Sequence, residues 1–156
     1  MAETDQQQNT VFNIEKIYLK DVSYEAPGVP QVFSQSQNAG AEIGVQLGLE
    51  HSILAAEQGL YEVVLTITAT AKRENKNIFL VEVKQAGIFR IGGVNMETLQ
   101  RALEISCANA LLPFAREAIN DFVEKGGFPQ LLINPINFEA LYEQKQSAQA
   151  TQPSIN

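Results

Sequence analysis

"LYEVVLTITATAKRENKNIFLVEVKQAGIF", residues 60–89, decides the fold. On its first run Tyr61, Val63, Leu65, Ile67 and Ala69 share one face, opposite Glu62, Thr66, Thr68 and Thr70. On its second run Phe79, Val81 and Val83 oppose Leu80, Glu82 and Lys84. A period of two in a β-branched, aromatic stretch marks strands, because successive side chains of an extended chain point to opposite sides. The polar "ENK" between the runs reads as a hairpin turn.

Two further runs flank this hairpin on its N-terminal side. "VFNIEKIYLKDVSY" (11–24) alternates imperfectly. Phe12, Ile14, Tyr18, Val22 and Tyr24 fall on one face, and Val11, Ile17 and Leu19 on the other with Asn13, Glu15 and Asp21. "EIGVQLGLE" (42–50) alternates cleanly, with Ile43, Val45, Leu47 and Leu49 to one side. Gly44 and Gly48 fall opposite, where a bulky group or another backbone can approach. Between them, Pro27, Gly28 and Pro30 of "EAPGVPQVF" exclude regular pairing and carry Val32 and Phe33 to the surface. The expectation is a four-stranded antiparallel sheet with one apolar and one mixed face.

On the C-terminal side the period becomes helical. Asn95 is placed to cap a helix with Glu97 in its first turn. Met96, Leu99, Leu103, Cys107 and Ala110 form its apolar stripe, against Glu97, Gln100, Arg101 and Glu104. Pro113 reads as the restart of a second helix. There Phe114, Ala118 and Phe122 lie beside Ala115, Ile119 and Val123, and Gly126 and Gly127 supply the stop. In "GGFPQLLINPINFEALY" (126–142), Pro129 and Pro135 bracket three apolar residues, so this connection is extended and irregular. Asn137 then caps a short helix with Glu139 in its first turn. Strands followed by helices packed on one face make an α+β fold. The boundaries are a flexible N-terminus (1–10), one domain (11–145) and a polar, disordered tail (146–156). Phe12, Ile17, Leu19 and Leu80 leave apolar residues on both sheet faces, more than these helices can cover, so burial against other subunits is expected.

Composition narrows the function by exclusion. The chain has 156 residues, 45% hydrophobic and 19% charged, which is the balance of one globular domain. A net charge of -7 argues against nucleic acid, whose phosphates require clustered Lys and Arg, and suits basic partners. The opening "MAETDQQQNT" has neither a charged n-region nor an apolar h-region, so no secretory leader is expected. No apolar run approaches the ~18 residues of a membrane span. Cys107, the single cysteine, points to a reducing compartment and reads as a small buried helix residue. His51 reads as an ordinary surface or loop histidine, and one His with one Cys gives no metal-ligand spacing. "GIFRIGG" lacks the Lys-Ser/Thr of a P-loop, and no G-x-S-x-G occurs. What remains are apolar segments in proline-punctuated stretches, which either plug the core or form a groove for extended polypeptide.

"KDVSYEAPGVPQVF", "YEVVLTITATA", "FLVEVKQAGIF", "LLPFARE" and "GGFPQLLINPINFEALY" together resemble the SecB family of protein-export chaperones, in order from residue 11 to about 143. The resemblance implies a cytoplasmic homotetramer, a dimer of dimers with helices sandwiched between sheets of different subunits, and no catalysis, cofactor or membrane insertion. It implies binding of unfolded precursor proteins in apolar grooves and their delivery to SecA, the translocation ATPase. The family docks the basic, zinc-binding tail of SecA on an acidic sheet surface, and the matching positions here are Asp21, Glu25, Leu80 and Glu82. Val32, Phe33, Val45, Leu47 and Leu49 are the candidates for the client groove. Some members carry a tryptophan after "PxVF", where this chain has the polar "SQSQNAGAEI". The alternatives are a related chaperone serving a toxin–antitoxin pair and a small α+β enzyme or ligand carrier with a closed pocket.

Overall fold

The computed structural model describes residues 9–34 and 40–150. Strands β1 (Val11–Glu25), β2 (Glu42–Ala55), β3 (Leu60–Arg73) and β4 (Lys76–Gly92) form one antiparallel sheet in the order β1-β4-β3-β2. The central hairpin closes on two residues, Glu74 and Asn75, at φ 52° and 64°. Two successive left-handed residues make the type I′ geometry whose twist matches the flanking strands. β2 continues past residue 50 and carries the exposed His51 within the strand.

Helix α1 (Met96–Arg101) passes through one π-helical turn, Ala102–Ser106, into α2 (Cys107–Lys125). Asn95 caps α1 by accepting a 2.8 Å hydrogen bond from the Thr98 amide. Pro113 does not restart a helix; it lies inside α2. Proline there frees the carbonyl of Asn109, and both residues are exposed, so water can take the lost bond. Met96 leaves the expected stripe and is 77% exposed, whereas Glu104, expected on the polar side, is buried. The π turn gives the helix an extra residue there, which shifts the stripe around its axis.

The core lies between α2 and the central strands. Leu65, Ile67, Val81, Val83 and Phe89 of the sheet are fully buried, as are Cys107, Leu111, Ala115 and Ile119 of the helix. Burial pushes the Cys107 thiol up to about 12, so it packs as a small apolar group. Gly87 on β4 makes the close approach possible, since a methyl there would lie 2.7 Å from the Phe89 ring and 3.2 Å from Leu111.

β1 corrects the sequence reading. Its pairing with β4 shifts by one residue at Glu15 and again at Lys20. Each β-bulge inserts an unpaired residue and resets the alternation. Between the bulges Ile17 pairs Gly87 and Leu19 pairs Gln85, so both lie on the helix side with Phe12, Ile14, Val22 and Tyr24. Tyr18 pairs Ala86 and turns to the open side. The apolar surplus is therefore mainly on the helix face, at the two edges that α2 does not reach. Phe12, Ile14 and Leu19 on β1 and Ile43, Val45 and Leu47 on β2 remain exposed.

α2 ends in a Schellman motif: Gly127 sits at φ 88°, Phe128 N–H donates to the Val123 carbonyl at 3.2 Å, and Gly127 N–H donates to Glu124 at 3.0 Å. The connection that follows is extended. Leu131 is held by a 2.8 Å bond from its amide to Asn120 Oδ1, Leu132 is 72% exposed and Ile133 is buried. Asn137 caps α3 (Phe138–Ala150), accepting from the Ala140 amide at 3.0 Å. α3 runs on past residue 145, where Gln146, Ala148 and Gln149 are helix formers. Residues 1–8 of the N-terminal segment and 151–156 of the tail lie outside the described residues, as do 35–39 of the polar loop.

Tyr24 packs between Phe79 and Phe122, each at 6.4 Å between ring centroids, and its buried hydroxyl has no partner among the described residues. Removing an orphaned hydroxyl removes a desolvation cost. Tyr24→Phe is expected to leave stability unchanged or raise it by about 1 kcal/mol, read from the urea midpoint. A loss of that size would show that the hydroxyl is bonded.

Candidate functional site

Both faces of the sheet carry a candidate surface. On the helix side, Phe33 is 53% exposed and packs, tilted, against Phe128 at 5.3 Å between ring centroids, which packs in the same way against Phe79 at 4.8 Å. These rings, with Val32, Ile43, Ile78 and Leu131, line a cavity of about 420 Å³ that Arg73 borders. The local sequence builds it: Gly127 turns the chain so that Phe128 meets Phe33, and a methyl at Gly126 would overlap the Tyr24 hydroxyl.

A second cavity, of about 240 Å³, lies between β2 and α3, lined by Leu47, Leu49, Leu65, Phe138, Leu141 and Tyr142. Glu104 also reaches it, with Oε1 bound to Lys145 Nζ at 2.9 Å and Oε2 buried without a partner among the described residues. The two cavities lie at either end of one apolar row on β2. Ile43 belongs to the first, Leu47 and Leu49 to the second, and Val45 stands between them on the same face. Val32, Phe33, Val45, Leu47 and Leu49 thus fall on one apolar track. Phe128, Phe79 and Ile43 also belong to it. The extended stretch before α3 was the signal for Phe128; Phe79 and Ile43 read only as strand-core positions.

On the open face, register places the acidic residues together. Glu25 lies opposite Leu80, Ser23 opposite Glu82 and Asp21 opposite Lys84. Cross-strand partners have Cβ atoms about 5 Å apart, so Asp21, Glu25, Leu80 and Glu82 form one patch. Glu82 is oriented by a 2.8 Å hydrogen bond from Thr68 Oγ1. Lys84 lies within the patch, so three carboxylates there face one ammonium. Glu62 on the same face does not add to the free charge. It accepts from Tyr18 Oη and pairs with Lys20 at 2.7 Å. Those bonds hold its carboxyl below the usual range, while burial and then the Glu62 bond push the Tyr18 phenol up to about 12.

The two surfaces are back to back. Phe79 lines the aromatic cavity with Tyr24 packed against it, and their chain neighbours Leu80 and Glu25 point to the acidic patch. The titratable groups that line the second cavity are Glu104, Tyr142 and Lys145, with Glu104 and Lys145 paired to each other, and Arg73 is the charged residue at the first.

The chain is similar to proteins of known family. The family model described as preprotein translocase subunit SecB matches residues 5–149. A protein-export protein SecB of Methylobacillus flagellatus is 46% identical over 93% of this chain and 90% of its own length. One of Halorhodospira halophila is 48% identical over 93% and 80%, and one of Dechloromonas aromatica is 44% identical over 96% of each. Among solved structures, a SecB-like chaperone of Mycobacterium tuberculosis, in complex with a ChAD peptide from an antitoxin, matches with a TM-score of 0.67 at 16% identity. It covers 80% of this chain and 90% of that one, a likeness of fold. Among the described residues no helix is long and apolar enough to cross a membrane.

Proposed function

We propose, because this chain belongs to the SecB family of protein-export chaperones, that it holds unfolded precursor polypeptides on the apolar track and delivers them to SecA. The family is one of chaperones, not of enzymes. The working unit is the domain of residues 11–145, to which the last turn of α3 adds. Val32, Phe33, Val45, Leu47 and Leu49 contact the client, with Phe128 as a further wall. Asp21, Glu25, Leu80 and Glu82 receive the basic, zinc-binding tail of SecA in the cytoplasm.

The observation that carries this reading is the track itself. Ile43, Val45 and Leu47 are 44%, 41% and 39% exposed in a continuous row that ends in a cavity on each side. A chain of this size does not leave such a strip in water without a partner for it. The apolar residues uncovered on β1 support assembly with further copies, into the homotetrameric dimer of dimers.

The test compares an unfolded precursor with the same protein folded. The unfolded form is expected to bind and the folded form not, since only an unfolded chain offers extended apolar segments. Phe33→Asp is expected to weaken client binding roughly tenfold or more, about 1.4 kcal/mol, and to leave binding of the SecA tail unchanged. Equal loss of both in a folded variant would remove Phe33 from the groove.

A further inference from the structure

The carboxylates on the open side of β1, β3 and β4 divide into two groups. Glu62 is bound by Lys20 at 2.7 Å and by the Tyr18 hydroxyl, and Glu15 is bound by Arg90 at 2.9 Å. Asp21, Glu25 and Glu82 form no ion pair among the described residues. The free negative charge of these strands is therefore gathered at one corner of the sheet. Lys84 stands at the border of that corner. It lies opposite Asp21 on β1 and Thr66 on β3, and it follows Glu82 by two residues on the same side of β4. It is half-buried, as a lysine is when its stem lies along the sheet and its ammonium stays in water. Yet it too forms no ion pair among the described residues. Lys84 leaves the three acids available and sets an opposing charge beside them.

We propose that Lys84 is a counter-charge built into the docking surface, which repels the basic tail of SecA and holds its affinity below what the three carboxylates alone would give. This rests on the docking reading above and deepens it. A cationic residue seated between Asp21 and Glu82 comes close to Lys84 as well, because the three occupy adjacent positions of the β1–β4 pair. Two unit charges about 7 Å apart at a wet surface repel by an energy that lowers affinity about two- to fivefold.

Glu25 and Leu80 face each other four residues farther along β4, at a distance of about 13 Å. The field of Lys84 is largely screened there at physiological salt. The tail is thus favoured over the outer end of the patch and turned back from Ala86 and Ile88, where the open face carries no free acid. A moderated affinity also suits a contact that is made and broken with each delivery.

The experiment titrates the full chain and its Lys84→Gln and Lys84→Arg variants with a zinc-loaded SecA tail peptide, at low and at physiological salt. Lys84→Gln is expected to tighten binding about two- to fivefold at physiological salt, and by more at low salt, because the repulsion it removes is a screened one. Lys84→Arg keeps the charge and is expected to bind as the wild type does. Client affinity and the urea midpoint, both expected to stay near wild type, show that each variant is intact. Unchanged or weaker tail binding by Lys84→Gln overturns the proposal; a weakening would mean that Lys84 pairs with an acidic group of the tail. A gain shared by Lys84→Arg overturns it too, since bulk rather than charge would then oppose the tail. In either case the docking surface stands if Glu82→Lys still weakens binding. Failure of all three proteins to bind the tail overturns the docking reading and this one with it.

Discussion

Glu82→Lys is expected to weaken binding of a SecA tail peptide by roughly 5- to 150-fold while client binding stays unchanged. The expected cost is about 1 to 3 kcal/mol, between that of an exposed and a desolvated charge pair. Glu82 is half-buried, oriented by Thr68, and flanked by Leu80 and the register partners of Asp21 and Glu25. Reversal turns a patch of three carboxylates and one ammonium into one of two and two. Wild-type binding should also fall steeply with salt, since exposed charges are screened over ~8 Å at physiological ionic strength, and the variant should show a shallower slope. Calorimetric titration at two salt concentrations reads both effects. Normal tail binding by the folded variant would move the docking surface elsewhere.

Leu111→Ala is expected to cost about 2 to 5 kcal/mol of stability, or roughly 4 to 20 °C in Tm for a domain of this size. Leu111 is fully buried and lies over Gly87, between α2 and the central strands. The glycine cannot fill the space that the leucine leaves, so the cavity persists. Urea unfolding at fixed protein concentration measures the loss. A change below about 1 kcal/mol would mean that the α2–sheet contact is not the core.

Both predictions depend on facing, and facing is where the sequence was partly legible. The hairpin of β3 and β4 could be read outright, because Val63, Leu65 and Ile67 alternate without interruption and Glu74-Asn75 is polar. The row from Ile43 to Leu49 was equally plain. β1 was not, since a bulge depends on pairing with β4 and leaves no mark in the order of residues. Tyr18, Ile17 and Leu19 were turned over for that reason, whereas Asp21, beyond the second bulge, was read on the correct side. Pro113 misled because its effect depends on whether Asn109 faces water, which the spacing alone does not say. Glu104 was lost to the π turn, a change of winding rather than of composition. The acidic patch required Glu25, Leu80 and Glu82 to be set against one another across two strands 55 residues apart. Only the resemblance to a known family carried that.

The two bulges in β1 also bear on how such a chain can drift. Inserting or deleting one residue in a half-buried strand normally turns every following side chain to the wrong side. At Glu15 and Lys20 the extra residue is already unpaired. Losing either would straighten the strand locally and leave Phe12, Ile17, Val22 and Asp21 facing as they do. Elsewhere in β1 the same edit would swap the acidic patch for the core. Among descendants of a common ancestor, length changes in this strand should therefore collect at those two positions, while the stretches between them vary only by substitution.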